Sequence, residues 1–587
     1  MRKVSSAVAR VVLVALVSVL VVHVSAAELS APEYIVIEEL GVMVKMRDGV
    51  RLSTNIYRPD SPGEFPVLLM RTPYGNENID GPGSYFFAQR GYVVIIQDCR
   101  GRYESEGVFD PMQTEALDGY DTQQWIGGQQ WCNGKIGTYG GSYVGYTQWS
   151  SAPLRSPYLV TMIPVVTTSD FYHMAYYDGA FRLRMWDSWS YLMTMPYDFD
   201  GASLNERLPE IEKTLPLIEQ DREVGWPVPF LRTWLRHPEA DDYWNAIRMG
   251  DGFTDITASS LSIGGWFDIC LKGTLDNFIG MNSPDIDPAV RKKQKLLIGP
   301  WVHSLSRDGK VGDTDFGEDA VLDMNDTRLR WFDAELKGND TGIWDEPPVK
   351  IYVMGDNVWR DENEWPLART DYRKFYFDSR GHANTLSGDG TLGSDHPDGA
   401  ESDTFVYDPD DPVPSSPDSS PFLPMNNGPR DHTAIERRQD VLVYSTPPLD
   451  NDMEVTGPVE VILYAASTAP NTDFTAKLLD VYPDGRSMYL CDGIVRASFR
   501  DGYLNTSNIE PGTINEYRID LWATSNVFKK GHRIRVEISS SNFPRFDRNL
   551  NTGADFATGT ACVKATQTVY HDEEHPSCIV LPVIPQR

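Results

Sequence analysis

Three residues of this chain have the types and order needed to cleave an acyl bond. Ser142 stands among glycines in GTYGGSYVGYTQW, residues 137–149. Asp268 ends the run SLSIGGWFD, and His303 follows KLLIGPW. A serine hydroxyl attacks an acyl carbon when a base takes its proton, a carboxylate orients that base, and donors meet the oxyanion. Ser, Asp and His come here in that order along the chain, each just beyond an apolar, strand-like run. Such a set performs acyl transfer through a covalent acyl-enzyme, with no need of a metal or organic cofactor.

Each residue also has a plainer reading. Gly140, Gly141 and Gly145 surround Ser142, and small residues suit a turn with unusual backbone angles. The spacing is G-x-S-x-x-G, with Val144 where a strict G-x-S-x-G turn has glycine. Taken alone, this is equally a glycine-rich strand-to-helix turn. Asp268 alone is equally a helix cap or a loop carboxylate. Of ten histidines, only His303 follows Asp268 closely and directly beyond an apolar run. The ordered trio favours catalysis over the separate structural readings. Asp98, after GYVVIIQ, precedes the serine and is assigned a structural role. The Tyr143 backbone N–H is the expected first oxyanion donor. No HGGG run exists, so the phenol of Tyr74 in RTPYGN is the expected second donor. The alternative is a tyrosine packed on the pocket rim.

These groups need a scaffold of strand ends. From residue 34 to about 165, short apolar runs alternate with helical stretches, which predicts a mostly parallel sheet wrapped by helices. YIVIEELGVMVKM and RLSTNIYRP read as an antiparallel pair. Residues 166–257 are rich in aromatics and Met at helical spacing and read as an inserted helical cap. DTRLRWFDAELKG reads as a closing helix. From about 348 the chain turns to short strands, beginning with VKIYVMG, which predicts a jelly roll. DHPDGAESDTFVYDPDDPVPSSPDSSPF reads as a long acidic surface loop. The expected fold is therefore α/β, an α/β-hydrolase core with an inserted helical cap, followed by an all-β jelly-roll β-sandwich. The expected units are residues 27–346 and 347–587, after a segment 1–26.

That first segment has a basic start at Arg2 and Lys3, an apolar run Val11–Val22 and small residues after it. This is the pattern of a cleaved secretory signal. The run is short of the roughly 20 residues of a spanning helix. A secreted or periplasmic enzyme, with no membrane attachment after cleavage, is the expectation. None of the six cysteines forms a CxxC pair, which argues against a zinc or redox motif. Cys562 and Cys578 are the most local candidates for a disulfide. The net charge of −31 argues against nucleic acid as a partner. Sequons occur at Asn325, Asn339 and Asn505.

GGSYVG, RTPYGN, GGWFD and GPWVHS resemble the motifs of the cocaine esterase and Xaa-Pro dipeptidyl-peptidase superfamily. QDCRGRYESEG, RWFDAELKG, SSSNFPRFDRNLNTG and QTVYHDEEHPS resemble further signatures, so the likeness spans nearly the whole mature chain. It implies Ser142 as nucleophile, Asp268 as orienter, His303 as base, and an oxyanion hole from Tyr74 and Tyr143. Two departures bear on substrate. α-Amino-acid ester hydrolases of this group carry carboxylates two and three positions after the triad Asp, and cocaine esterase carries an aromatic at the first of these. Here the residues are Cys270 and Leu271. Trp266, Phe267 and Cys270, with Phe171 and Tyr172 of the cap, are the residues expected at the substrate pocket. The cap aromatics are otherwise its own core. The leading expectation is a secreted serine hydrolase of small acyl esters or amides. A dipeptidyl-peptidase acting on Xaa-Pro peptides is the alternative, with Asp170 or Asp178 anchoring the free amine. An inactive carbohydrate-binding protein is the alternative of another class. The jelly roll would cap the site or join copies into a homo-oligomer.

Overall fold

The segments Phe65–Thr72 and Val93–Asp98 are buried at nearly every position, which only a strand covered on both faces can satisfy. A computed structural model places them side by side in a ten-stranded sheet. The structure describes residues 29–78, 81–196, 201–250, 252–399, 401–416, 428–504 and 506–585. The expected signal segment 1–26 lies outside these residues, as does the sequon at Asn505. Among the described residues, no helix is long and apolar enough to cross a membrane.

The strands are β1 (Val36–Lys45), β2 (Arg51–Pro59), β3 (Phe65–Thr72), β4 (Val93–Asp98), β5 (Cys132–Gly141), β6 (Leu159–Val165), β7 (Ser259–Gly265), β8 (Gln294–Gly299), β9 (Val349–Val353) and β10 (Val358–Glu362). Their spatial order is β1-β2-β4-β3-β5-β6-β7-β8-β9-β10. β1 and β2 form the expected antiparallel pair, and β3 to β9 run parallel. The chain leaves β3 outward to β4 and returns to β5 on the other side of β3. That reversal opens a crevice at the carboxyl ends of β3 and β5, where ligands bind in open α/β sheets. Tyr74 follows β3 and Ser142 follows β5.

Between β6 and β7 the chain forms short helices, including Phe171–Ala175, Leu183–Thr194, Gly201–Ile211 and Pro229–Leu235, which make the expected cap. The closing helix is Met324–Phe332, continuing as a wider turn to Lys337.

The second sheet system holds β11 (Asp371–Asp378), β12 (Thr391–Gly393), β13 (Ser402–Tyr407), β14 (Leu442–Ser445), β15 (Met453–Ser467), β16 (Asp473–Val481), β17 (Ser487–Arg496), β18 (Asn515–Phe528), β19 (Arg533–Ser539), β20 (Ala565–Tyr570) and β21 (Cys578–Val583). Two expectations change here. VKIYVMG joins the first sheet as β9, parallel to β8, because its apolar residues complete that sheet's buried surface. The supposed acidic loop contains β13, which pairs antiparallel with β20. Its residues Asp403, Phe405 and Tyr407 alternate inward, a period of two that the flanking Asp and Pro obscure. All six cysteines are unpaired, including Cys562 and Cys578.

Asp403 anchors this β domain. Its Oδ2 accepts from Ser379 and Tyr444 hydroxyls at 2.7 Å and lies 3.0 Å from His571 Nε2. Its Oδ1 accepts the Ala383 N–H at 2.8 Å. Burial works against both charges, but the hydrogen bonds from His571, Ala383, Ser379 and Tyr444 outweigh it at Asp403, and the bond and attraction of Asp403 outweigh it at His571. Asp403 therefore titrates below its ordinary 3.8 and His571 above its ordinary 6.5. The raised His571 value adds stability that is complete below about pH 6.5 and lost as pH rises through the folded value. The lowered Asp403 value adds stability that is lost as pH falls through its own folded value. Calorimetry should therefore show the melting temperature falling as pH rises above about 6.5. His571→Gln should flatten that decline and cost about 3 kcal/mol at pH 6, because it leaves a buried carboxylate short of its cation.

Candidate active site

Ser142 occupies a backbone conformation that side chains rarely adopt, with φ 58° and ψ −125°. It sits between β5 and the helix Tyr143–Ser151. Its N–H donates to the Val165 carbonyl at 2.9 Å. Its carbonyl accepts from Gly145 N–H at 2.9 Å, Tyr146 N–H at 3.0 Å and the Thr167 hydroxyl at 2.7 Å. Gly140, at φ 131°, allows the strand to enter the turn. Gly145 has a different reason. A Cβ there would lie 2.6 Å from the Thr167 side chain, so the helix could not pack as closely on the strand end. The glycine at 145 instead of 144 thus reflects contact with Thr167.

Asp268 and His303 meet beyond the ends of β7 and β8. Asp268 Oδ1 lies 2.7 Å from His303 Nδ1. The carboxylate is fully buried and the imidazole is 10% exposed. A carboxylate only accepts, so Nδ1 carries the proton and Nε2 presents its lone pair. Trp301 sets the loop that carries His303. Its ring is buried, its Nε1–H donates to Ala320 at 2.7 Å, and its carbonyl accepts the Phe267 N–H at 2.9 Å. Asp268, Cys270 and His303 offer atoms of metal-ligating type within 4.8 Å of one another. The direct Asp268–His303 bond already engages two of them.

Ser142, Tyr74, Tyr143 and His303 line one cavity of about 290 Å³. The Tyr74 hydroxyl accepts the Trp189 Nε1–H at 3.1 Å and is hydrogen-bonded with Ser142. Burial pushes the Tyr74 phenol up to about 12, with the Trp189 and Ser142 bonds acting the other way. The phenol therefore keeps its proton at neutral pH and remains a donor. The backbone N–H of Tyr143 is at the first helical position, where no intrahelical carbonyl reaches it. The Tyr143 ring is clamped from three sides. Its hydroxyl donates to Glu115 Oε1 at 2.8 Å, accepts the Met112 N–H at 3.1 Å, and its face stacks on Trp189 at 6.0 Å. Glu115 is held in turn by Arg71 at 2.8 Å. Asp98 stands under the Tyr74 loop, where its Oδ1 accepts the Asn76 N–H at 2.7 Å.

The rest of the cavity is apolar: Phe171, Met174, Met185, Trp186, Trp189 and Leu192 line it. Of the expected pocket residues, Phe171 and Cys270 are there. Three are elsewhere. Trp266 turns into the core, donating to the Tyr352 carbonyl at 2.7 Å and packing on Trp365. Phe267 packs on Phe316, away from the cavity. Tyr172 belongs to the cap's own core, stacked on Tyr176 with its hydroxyl on the Pro238 carbonyl at 3.0 Å. Phe171 and Tyr172 are successive residues of the helix Phe171–Ala175, about 100° apart around its axis, and only Phe171 lines the cavity. Trp186 and Trp189, three residues apart in the helix Leu183–Thr194, share one face and both line the cavity, a spacing the sequence alone shows.

Most of the chain matches known proteins. Residues 48–305 match the family model described as X-Pro dipeptidyl-peptidase (S15 family), and residues 341–580 match the X-Pro dipeptidyl-peptidase C-terminal non-catalytic domain. Cocaine esterase of Rhodococcus sp. (strain MB1 Bresler) is 38% identical over 572 residues, covering 92% of this chain and 98% of that protein. The chain belongs to this family of serine hydrolases. Among solved structures, an aminopeptidase from a marine sediment Thaumarchaeota archaeon superposes with a TM-score of 0.80 at 25% identity, covering 94% of this chain and 97% of that one. An α-amino acid ester hydrolase superposes at 0.79 and 24% identity, covering 97% and 100%, and shares the fold. The family thus has an α/β hydrolase domain followed by an all-β domain, as in this chain.

The contact at Gly145 is open to test. Gly145→Ala should cost about 1–3 kcal/mol, the usual range for overpacking. Urea denaturation should read this loss, and Gly145→Ala with Thr167→Ser should recover part of it by removing the methyl that the new Cβ meets.

Proposed function

We propose that this chain is an exported serine esterase acting on esters of apolar or aromatic acyl groups. The observation that carries the reading is one cavity in which Ser142, Tyr74 and His303 meet walls of aromatic, thioether and aliphatic side chains. His303 Nε2 takes the proton of Ser142 as Oγ attacks the acyl carbon. Asp268 holds the tautomer and stabilises the imidazolium that forms. Tyr74 O–H and Tyr143 N–H donate to the developing oxyanion. His303 then protonates the leaving alkoxide, and water, deprotonated by the same imidazole, releases the acyl group. The N-terminal segment directs export, as its pattern of charge and apolar residues suggests.

The dipeptidyl-peptidase reading has less support. It requires an unengaged carboxylate near the serine to hold a free amine. Asp170 is engaged by His173 at 3.0 Å and caps the helix Phe171–Ala175. Asp178 accepts the Tyr503 hydroxyl at 2.8 Å, and burial raises its carboxyl to about 6. Neither lines the serine's cavity. The relative named as an esterase, at 38% identity, points the same way.

A fluorophosphonate probe should label the wild type and leave Ser142→Ala unlabelled; an unlabelled, well-folded wild type would refute the enzyme reading. Tyr74→Phe should lower kcat by about 100-fold, the scale of one lost oxyanion donor, with a smaller change in KM. Hydrolysis of p-nitrophenyl benzoate without hydrolysis of Gly-Pro-p-nitroanilide is expected. Turnover of the anilide that N-acetylation abolishes would establish the dipeptidyl-peptidase instead.

A further inference from the structure

A second cavity of about 290 Å³ lies against the first, and Thr168, Met174 and Cys270 line both. The two linings differ in chemistry. The second carries Asp170, His173, Arg182, Arg248, Lys272 and Asp276. Most of these charges are matched. Asp170 Oδ2 is 3.0 Å from His173 Nδ1 and 3.8 Å from Arg248 Nε. Lys272 Nζ is 3.4 Å from Asp276 and 3.3 Å from Asp520.

The groups left over are donors. Arg182 is 3% exposed, and the atoms that accept its hydrogen bonds are neutral. Its Nη1 meets Met174 Sδ at 3.0 Å, its Nη2 donates to the Ile269 carbonyl at 2.9 Å, and its guanidinium lies over the Trp522 ring. Burial and the like charge of Arg545 bring the Arg182 guanidinium down to about 10, with the attraction of Cys270 and Asp268 acting the other way. Asn277 uses its Oδ1 on the Ser169 hydroxyl, and its Nδ2 has no partner. The Nε1–H of Trp522 has none either. Asn277 is 1% exposed and Trp522 9%, and both line the same cavity. Two buried donors without acceptors are each costly, and the Arg182 guanidinium lines the same cavity. A carboxylate supplies acceptors for both donors, since its two oxygens accept several bonds, and its charge suits the guanidinium beside them.

We propose that this second cavity is a carboxylate-binding subsite, built from Arg182, Asn277 and Trp522. The carboxylate belongs either to an acid-bearing ester whose reacting end occupies the first cavity, or to a separate carboxylic acid. Met174 is the adaptable part of the shared wall, because its unbranched thioether repacks at low cost. The substrate form of this proposal rests on the esterase reading of Ser142; the binding form does not.

The full-length protein allows both to be tested. The kcat/KM of p-nitrophenyl hydrogen adipate is divided by that of p-nitrophenyl hexanoate, a neutral ester of equal length. Asn277→Asp, which keeps an acceptor for Ser169 and adds a repelling charge, should lower this ratio about tenfold, and Trp522→Phe about threefold. Titration calorimetry with adipate alone should show binding to the wild type that weakens by the same factors. A changed ratio identifies the substrate as the source. Weakened adipate binding at an unchanged ratio identifies a free acid. An unchanged ratio together with adipate binding that is absent, or equal in wild type and folded variants, overturns the proposal. Trp522→Phe carries the test should Asn277→Asp not fold. If the wild type hydrolyses neither ester, the esterase reading fails, while adipate calorimetry still decides the subsite.

Discussion

The backbone of Ser142 is the constraint from which the site follows. A non-glycine residue at φ 58° and ψ −125° costs on the order of 1–3 kcal/mol, and it persists only where its surroundings leave no alternative. Four hydrogen bonds to its two peptide groups remove the alternatives. One ties the serine to β6 through Val165, and the Thr167 hydroxyl ties it to the chain just beyond that strand. The turn thus holds the side chain at the end of β5, in the crevice created where the strand order reverses.

The same region shows why hydrogen bonds inside the cavity carry weight. Apolar walls keep the effective dielectric low, so donors fixed before reaction stabilise a developing charge more than water would. Fixing them needs a second layer. The Tyr74 phenol is held between Ser142 and Trp189, and Trp189 also supports the Tyr143 ring. Glu115 receives the Tyr143 hydroxyl and is neutralised by the buried Arg71. A buried ion pair of this kind is weak support for stability, because desolvation offsets its attraction. Its geometric consequence is firmer: it fixes the ring of Tyr143, the first residue of the helix that follows Ser142.

The sequence disclosed the parts of this arrangement that lie at strand ends. Apolar runs followed by a single polar residue marked Asp268 and His303, and the structure joins them at 2.7 Å. The runs themselves predicted the parallel sheet, because strands buried on both faces must be apolar throughout. Side-chain direction was less legible. Trp266 and Phe267 adjoin Asp268 in sequence yet turn into cores, and Tyr172 turns away from its neighbour Phe171. Adjacency in sequence says little about which face a residue takes in a loop or short helix. Strand membership was also underdetermined for VKIYVMG. A buried strand reads alike whichever sheet it completes, and β9 lies at the border: Met354, just beyond it, exchanges backbone hydrogen bonds of 3.0 and 2.8 Å with Ser525 and Val527 of β18.

That border explains why the β domain cannot be treated as a separate attachment. It grips the cap at several points. Asp547 accepts the Phe181 N–H at 2.7 Å, the Pro544 carbonyl accepts the Arg184 N–H at 3.0 Å, and the Asp520 carbonyl accepts the Tyr177 hydroxyl at 2.9 Å. Gly179 makes one such approach possible, since a Cβ there would fall 2.3 Å from the Phe499 ring. These contacts flank Arg182 on both sides in sequence. The burial of that guanidinium, and its place against Trp522, therefore result from docking the β domain on the cap. Loosening the docking would hydrate Arg182 and alter the Met174 wall that it touches. The domain that holds no catalytic candidate thus helps shape the space beside the one that does.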